Sequence, residues 1–244
     1  MTDKEHKRIN FQLWYPVVFV ALLWVIKWLE YKMGVDMADL GIYPRKIEGL
    51  KGVILGPLIH GDIPHLVNNS IPLLIMGVML FYFYKKSAFQ VWITAYLFTG
   101  LLVWFFARPS YHIGASGLLY AITSFIFCSG LLRRNKQLIA TSLVVAFLYG
   151  GMIWGVLPIK EGVSWESHLL GGFVGLALAW VFRNLGPQRK YYKWEVEEDD
   201  LEGVEPYWEI KKEVTDITSN SEPYKVLYHY KATIKTEDGK GLEK

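Results

Sequence analysis

Six apolar blocks, each near the length that crosses a bilayer, limit what this chain can become. They cover residues 11–31, 65–84, 88–107, 114–132, 138–157 and 166–182. A helix of about 20 apolar residues spans the ~30 Å hydrocarbon core. The backbone finds no water there, so its hydrogen bonds must close within the segment, as a helix closes them. No charge sits in the middle of the last five blocks, and the hydrophobic share of 52% is too high for an ordinary soluble domain. An all-α membrane protein with six crossings follows.

The boundaries follow from composition. Residues 1–10 are polar and basic. Residues 11–185 hold the helices. Residues 186–244 form a polar, acidic tail, expected to be largely disordered because it is too short and too polar for its own core. Within the tail, 226–234 alternates as a strand would. The first block resembles a signal peptide but is too long and aromatic, with no small-residue cleavage site after it. Trp14, Tyr15, Trp28 and Tyr31 suit its two interfaces, and Lys27 is placed to snorkel. Residues 32–64 form a long loop with room for short helices lying in the interface. The single cysteine, Cys128, excludes an intramolecular disulfide and reads as a small buried hydrophobe.

The net charge of +3 conceals an asymmetry. Residues 1–193 carry 19 Lys and Arg against 9 Asp and Glu, which leaves residues 194–244 at −7. The basic excess sits beside apolar segments, so it reports orientation rather than nucleic-acid binding. With the N-terminus inside, twelve cationic residues fall in inner segments and six in outer ones. Both termini are thus expected in the cytoplasm.

This topology places three polar helix openings at one depth. The second, fourth and sixth blocks run inward from the outer side. His65 and Asn69 open the second, Ser116 and Tyr120 the fourth, and His168 the sixth. Pairs four residues apart share a helix face. Each residue alone reads as packing or an interhelical hydrogen bond. His60 and His112, in outer loops, read as solvated or interfacial. Together, a serine, two histidines and an asparagine at one depth point to chemistry, because ionisable groups in a membrane are costly. A serine hydroxyl needs a base to become a nucleophile, and a neutral imidazole is the usual one near pH 7. The oxyanion that results needs donors. His65, Asn69 and the Ser116 amide are candidates. Since Glu166 lies on another face from His168, a Ser–His dyad is expected rather than a triad.

On these residues the chain resembles the rhomboid intramembrane serine proteases. Gly114-Ala115-Ser116-Gly117 is similar to the family's Gly-x-Ser-Gly. His65-x-x-x-Asn69 and His168-x-x-Gly171-x-x-x-Gly175 are similar to its motifs on helices two and six. The resemblance implies a six-helix rhomboid-like bundle and a serine endopeptidase needing no cofactor or metal. It implies Ser116 as nucleophile, His168 as base, an oxyanion hole of His65, Asn69 and Ser116, and Tyr120 orienting the base. Gly114, Gly117, Gly171 and Gly175 would let helices approach. Single-pass membrane proteins in a lipid bilayer would be the substrates, and the setting the bacterial inner (plasma) membrane. Two departures stand out. Ser167 and Leu169 replace the family's usual Ala and Gly around the histidine, and Tyr43-Pro44-Arg45 stands nearest its Trp-Arg pair. The competing readings are a catalytically silent relative that binds or routes membrane proteins, and a small transporter. The second would show inverted repeats or midplane charges, which the sequence lacks.

Overall fold

The computed structural model describes residues 12–149, 154–159 and 162–185. The basic N-terminal residues, the tail with its strand-like 226–234 segment, and residues 150–153 inside the fifth block lie outside that range. Seven α-helices are described: α1 (Trp14–Met33), α2 (Lys51–Leu55), α3 (Ile63–Phe83), α4 (Ala88–Phe106), α5 (Ser116–Leu132), α6 (Lys136–Tyr149) and α7 (Trp165–Val181). Among the described residues there is no strand, only one isolated antiparallel bridge between Ile42 and His112. Two of the helices, α3 and α4, are long and apolar enough to cross a membrane, and α5 is apolar but shorter. The protein is a membrane protein built of helices.

A short apolar helix, α5, is the central one. Neighbours α3, α4, α6 and α7 all pack on α5, and its most extensive contact is with α7. Its 17 residues rise only about 25 Å. Leu118, Leu119, Ala121, Ile122, Phe125 and Ile126 bury themselves against Leu66, Leu73, Leu80 and Val91. Lipid tails are as apolar as leucine, so helices associate there through close packing. The α5–α7 seam shows how. A Cβ on Gly171 would run into the Gly117 carbonyl, and one on Gly175 into the Ala121 carbonyl. Glycine at both positions brings backbone against backbone.

The long first loop is ordered by polar contacts. It holds α2 and 3-10 turns at Ala38–Leu40, Ile47–Leu50 and Gly56–Leu58. Arg45 donates to the Ala107 carbonyl at 2.9 Å, and Trp104 donates to the Lys46 carbonyl at 2.8 Å, so the loop covers the C-terminal end of α4. Those end carbonyls have no partner within the helix and need one outside it. Lys27 is held by protein oxygens. It pairs with Glu30 at 2.7 Å and donates to the carbonyls of His60 and Gly61. Glu30 in turn accepts from the Met37 amide at 3.2 Å. A half-buried cation is best satisfied by such nearby oxygens. Trp14, Trp28 and Tyr31 lie exposed near the ends of α1, and Cys128 is half-buried against the core.

Candidate active site

Ser116 is the first residue of α5. Ala115 precedes it as the N-cap with no side-chain cap, so the opening amides of α5 carry no capping oxygen. A helix start of this kind presents N–H groups and a partial positive charge. The chain reaches it through Gly114 at φ +101°, a left-handed conformation suited to glycine. A Cβ there would also sit 2.7 Å from His65 Nε2, so glycine lets the His65 ring come up beside the serine loop. The loop itself is held down. Ile42 and His112 exchange both backbone hydrogen bonds at 2.9 Å, and the Gly114 amide donates to the Gly56 carbonyl at 2.9 Å.

His168 sits one turn into α7, 9% exposed, as is Ser116. Its Nε2 lies 2.8 Å from Ser116 Oγ. Its Nδ1 lies 2.8 Å from the Gly155 carbonyl. A carbonyl only accepts, so Nδ1 carries the hydrogen and Nε2 of the neutral ring is left with its lone pair toward the serine. The Tyr120 ring stacks on the imidazole, with centroids 4.3 Å apart and planes within 4°. Gly155 is a close-approach position: a Cβ would strike the Tyr120 hydroxyl and come within 3.0 Å of His168 Nδ1.

His65 and Asn69 stand on α3. Asp62 caps that helix by accepting from the His65 amide at 2.6 Å. One amide hydrogen of Asn69 goes to the His65 carbonyl at 3.1 Å. A side-chain amide has two hydrogens, and the second remains for another acceptor. His65, Asn69, Ser116, Tyr120 and His168 all line one cavity of about 640 Å³, with Arg108 and Tyr111 on its rim. That volume is in the range of ligand-binding clefts. Among the described residues no group of His, Cys, Asp or Glu is arranged to hold a metal ion.

Two histidines differ from the sequence expectation. His60 and His112, expected in solvent or at the interface, are 1% and 3% exposed. His60 Nε2 accepts from the Ala115 amide at 3.4 Å, and its ring meets His65 edge-on with centroids 5.0 Å apart. Burial pushes His60 down to about 4, with nearby His65 adding to the effect. His112 bonds Ser164 Oγ and the Arg108 carbonyl. Both histidines lie in loops beside the helix openings, where His60 Nε2 and both ring nitrogens of His112 serve backbone and hydroxyl groups. Glu166 faces Arg108, whose Nε is 3.4 Å away. Gly155 gave no signal in the sequence, because a carbonyl partner carries no side chain to recognise.

Residues 49–185 match the Rhomboid domain. Uncharacterized proteins of Mycobacterium tuberculosis and Mycobacterium bovis are 38% identical to the chain over 71% of its length and 75% of theirs. An uncharacterized protein of Mycobacterium leprae is 33% identical over 71% of the chain and 72% of its own. Rhomboid-related protein 2 of Mus musculus is 23% identical over 63% of the chain and 55% of its own length.

Proposed function

The chain belongs to the rhomboid family, and from that premise we propose that it is an intramembrane serine endopeptidase working through a Ser116–His168 dyad. The observation that carries the reading is the 2.8 Å contact between Ser116 Oγ and His168 Nε2, with Nδ1 already engaged by a carbonyl. That arrangement leaves the imidazole with one basic nitrogen, aimed at a hydroxyl.

The chemistry runs from this geometry. Ser116 Oγ attacks the carbonyl carbon of a substrate peptide bond while its proton passes to His168 Nε2. The imidazolium is stabilised by the Gly155 carbonyl at Nδ1–H and held in plane by Tyr120. The negative charge on the substrate oxygen falls within reach of the Ser116 amide, the free Asn69 amide hydrogen and a His65 ring N–H. Removing one donor of this kind costs about 10²–10³ in rate. His168 then gives its proton to the leaving amine. A water entering the cavity, activated by the same imidazole, releases the acyl group from Ser116.

The substrates are single-pass membrane proteins whose helix frays at the outer end, because a peptide bond inside a helix is shielded by its own hydrogen bonds. The cation count supports six crossings with both termini cytoplasmic and the site toward the outer face. The host membrane on this reading is the bacterial inner membrane.

Ser116→Ala and His168→Ala, purified and assayed on a transmembrane substrate, should each lose about 10³-fold or more in kcat. A fluorophosphonate should label wild type and neither variant. Cleavage by Ser116→Ala at the wild-type rate would overturn the assignment. A wild-type protein that retains transmembrane segments without cutting them or taking the label would favour the silent, binding relative.

A further inference from the structure

Ser164 precedes α7 as its N-cap, a position where serine normally turns its hydroxyl back onto the helix's free amides. Here it makes no such bond. Its Oγ is 2.5 Å from His112 Nδ1 and 2.6 Å from Ser167 Oγ. On the other side of the His112 ring, Nε2 is 3.0 Å from the Arg108 carbonyl, so Nε2 carries the hydrogen and Nδ1 accepts from Ser164. Burial pushes His112 below the usual histidine range, which agrees with a neutral ring. A second link runs alongside. Arg108 donates to the Val163 carbonyl at 2.8 Å and faces Glu166.

We propose that His112 is a positioning residue, clasping the loop that carries Ser116 to the helix opening that carries His168. It rests on the dyad reading above. The two reacting groups come from segments 52 residues apart, and the α5–α7 seam fixes their separation only along the helices. His112 lies four residues before the serine, and Ser164 four before the histidine. Tying those two points sets the lateral distance between Oγ and Nε2. Ser167 is the second hydroxyl of this chain of bonds. An uncapped serine is the sign of the arrangement: a capping bond is given up for a contact across the site.

His112→Leu keeps the bulk and removes both ring bonds. It should lower kcat about tenfold to a hundredfold, the scale of a slightly misplaced catalytic pair, with KM within about twofold. His112→Asn, whose amide oxygen can take the Ser164 hydrogen, should recover most of that loss. Ser164→Ala should fall by a similar factor with little change in thermal midpoint, since no cap is lost. The double variant His112→Leu/Ser164→Ala should be no slower than the worse single one, because both break the same link. Wild-type kcat in His112→Leu, or losses that multiply in the double variant, would overturn the clasp. So would a parallel fall in kcat and thermal midpoint that His112→Asn does not repair. Fluorophosphonate labelling separates the two levels. Wild type unlabelled at Ser116 would overturn the dyad and the clasp together. Equal labelling rates in wild type and His112→Leu would overturn the clasp alone.

Discussion

The α5–α7 seam and the outer loops hold the candidate site together by opposite means. In the seam, side chains are removed: Gly171 meets the Gly117 carbonyl and Gly175 meets the Ala121 carbonyl. In the loops, polar side chains are added. Arg45, His60 and His112 each satisfy a carbonyl, an amide or a hydroxyl far away in sequence. The difference follows from the surroundings. Between helices in lipid there is no hydrophobic gain from contact, so the backbones must come close enough for dispersion to act. Loops have backbone groups unpaired by any helix, and burying them demands partners. The seam is therefore intolerant of volume, and the loops of lost hydrogen bonds and of added charge.

Volume in the seam should have the largest effect. Gly171→Leu forces α7 away from α5, and should cost about 3 kcal/mol or more, the upper end of overpacking, with cleavage lost as Ser116 and His168 separate. Thermal midpoint and turnover in detergent measure both. A variant with a wild-type midpoint and rate would show that the seam is not backbone-tight.

Charge in the loops comes next. The folded protein holds His60 at about 4 rather than 6.5. The unfolded chain takes up the proton first as pH falls, so stability is complete above 6.5 and declines down to about 4. The total is about 3 kcal/mol from this group. The groups acting on the ring are His65, Lys27 and Asp62. A midpoint measured against pH should fall over this window and flatten in His60→Gln. An unchanged slope would place the titrating group elsewhere. The seam glycines carry no ionisable group, so Gly171→Leu should leave the slope as it is.

The smallest effect belongs to the loop's rim. Arg45→Ala frees the carbonyls at the end of α4 near solvent and should cost about 1 kcal/mol. A Gly171-sized loss would mean that the loop carries as much of the fold as the seam does.

How far the site could be read depended on the kind of signal. His65, Asn69, Ser116, Tyr120 and His168 were named from helix phase and shared depth, both local properties of the chain. The rims of the apolar blocks moved by a few residues: α3 opens at Ile63 and α5 at Ser116. The described part of α6 ends at Tyr149, where the apolar block continues to 157. The loop histidines were misread because a ring in a polar loop looks the same whether it faces water or a buried hydroxyl. Lys27 hid its partners for a similar reason. Its partner Glu30 is three residues away, yet two of its bonds go to carbonyls 33 and 34 residues on.

The sequence by itself determined the membrane class, the apolar blocks, and the small residues flanking a serine and a histidine at helix openings. Hydropathy and helical period act over a few turns, and no distant contact is needed to impose them. Only the tertiary structure decided what the polar atoms bond. It turned Nδ1 of His168 to the Gly155 carbonyl, drew His60 beneath Ala115, and gave the Ser164 hydroxyl to His112. A buried hydrogen bond forms wherever a complementary group is brought within about 3 Å, and which group arrives there is settled by how the whole chain packs.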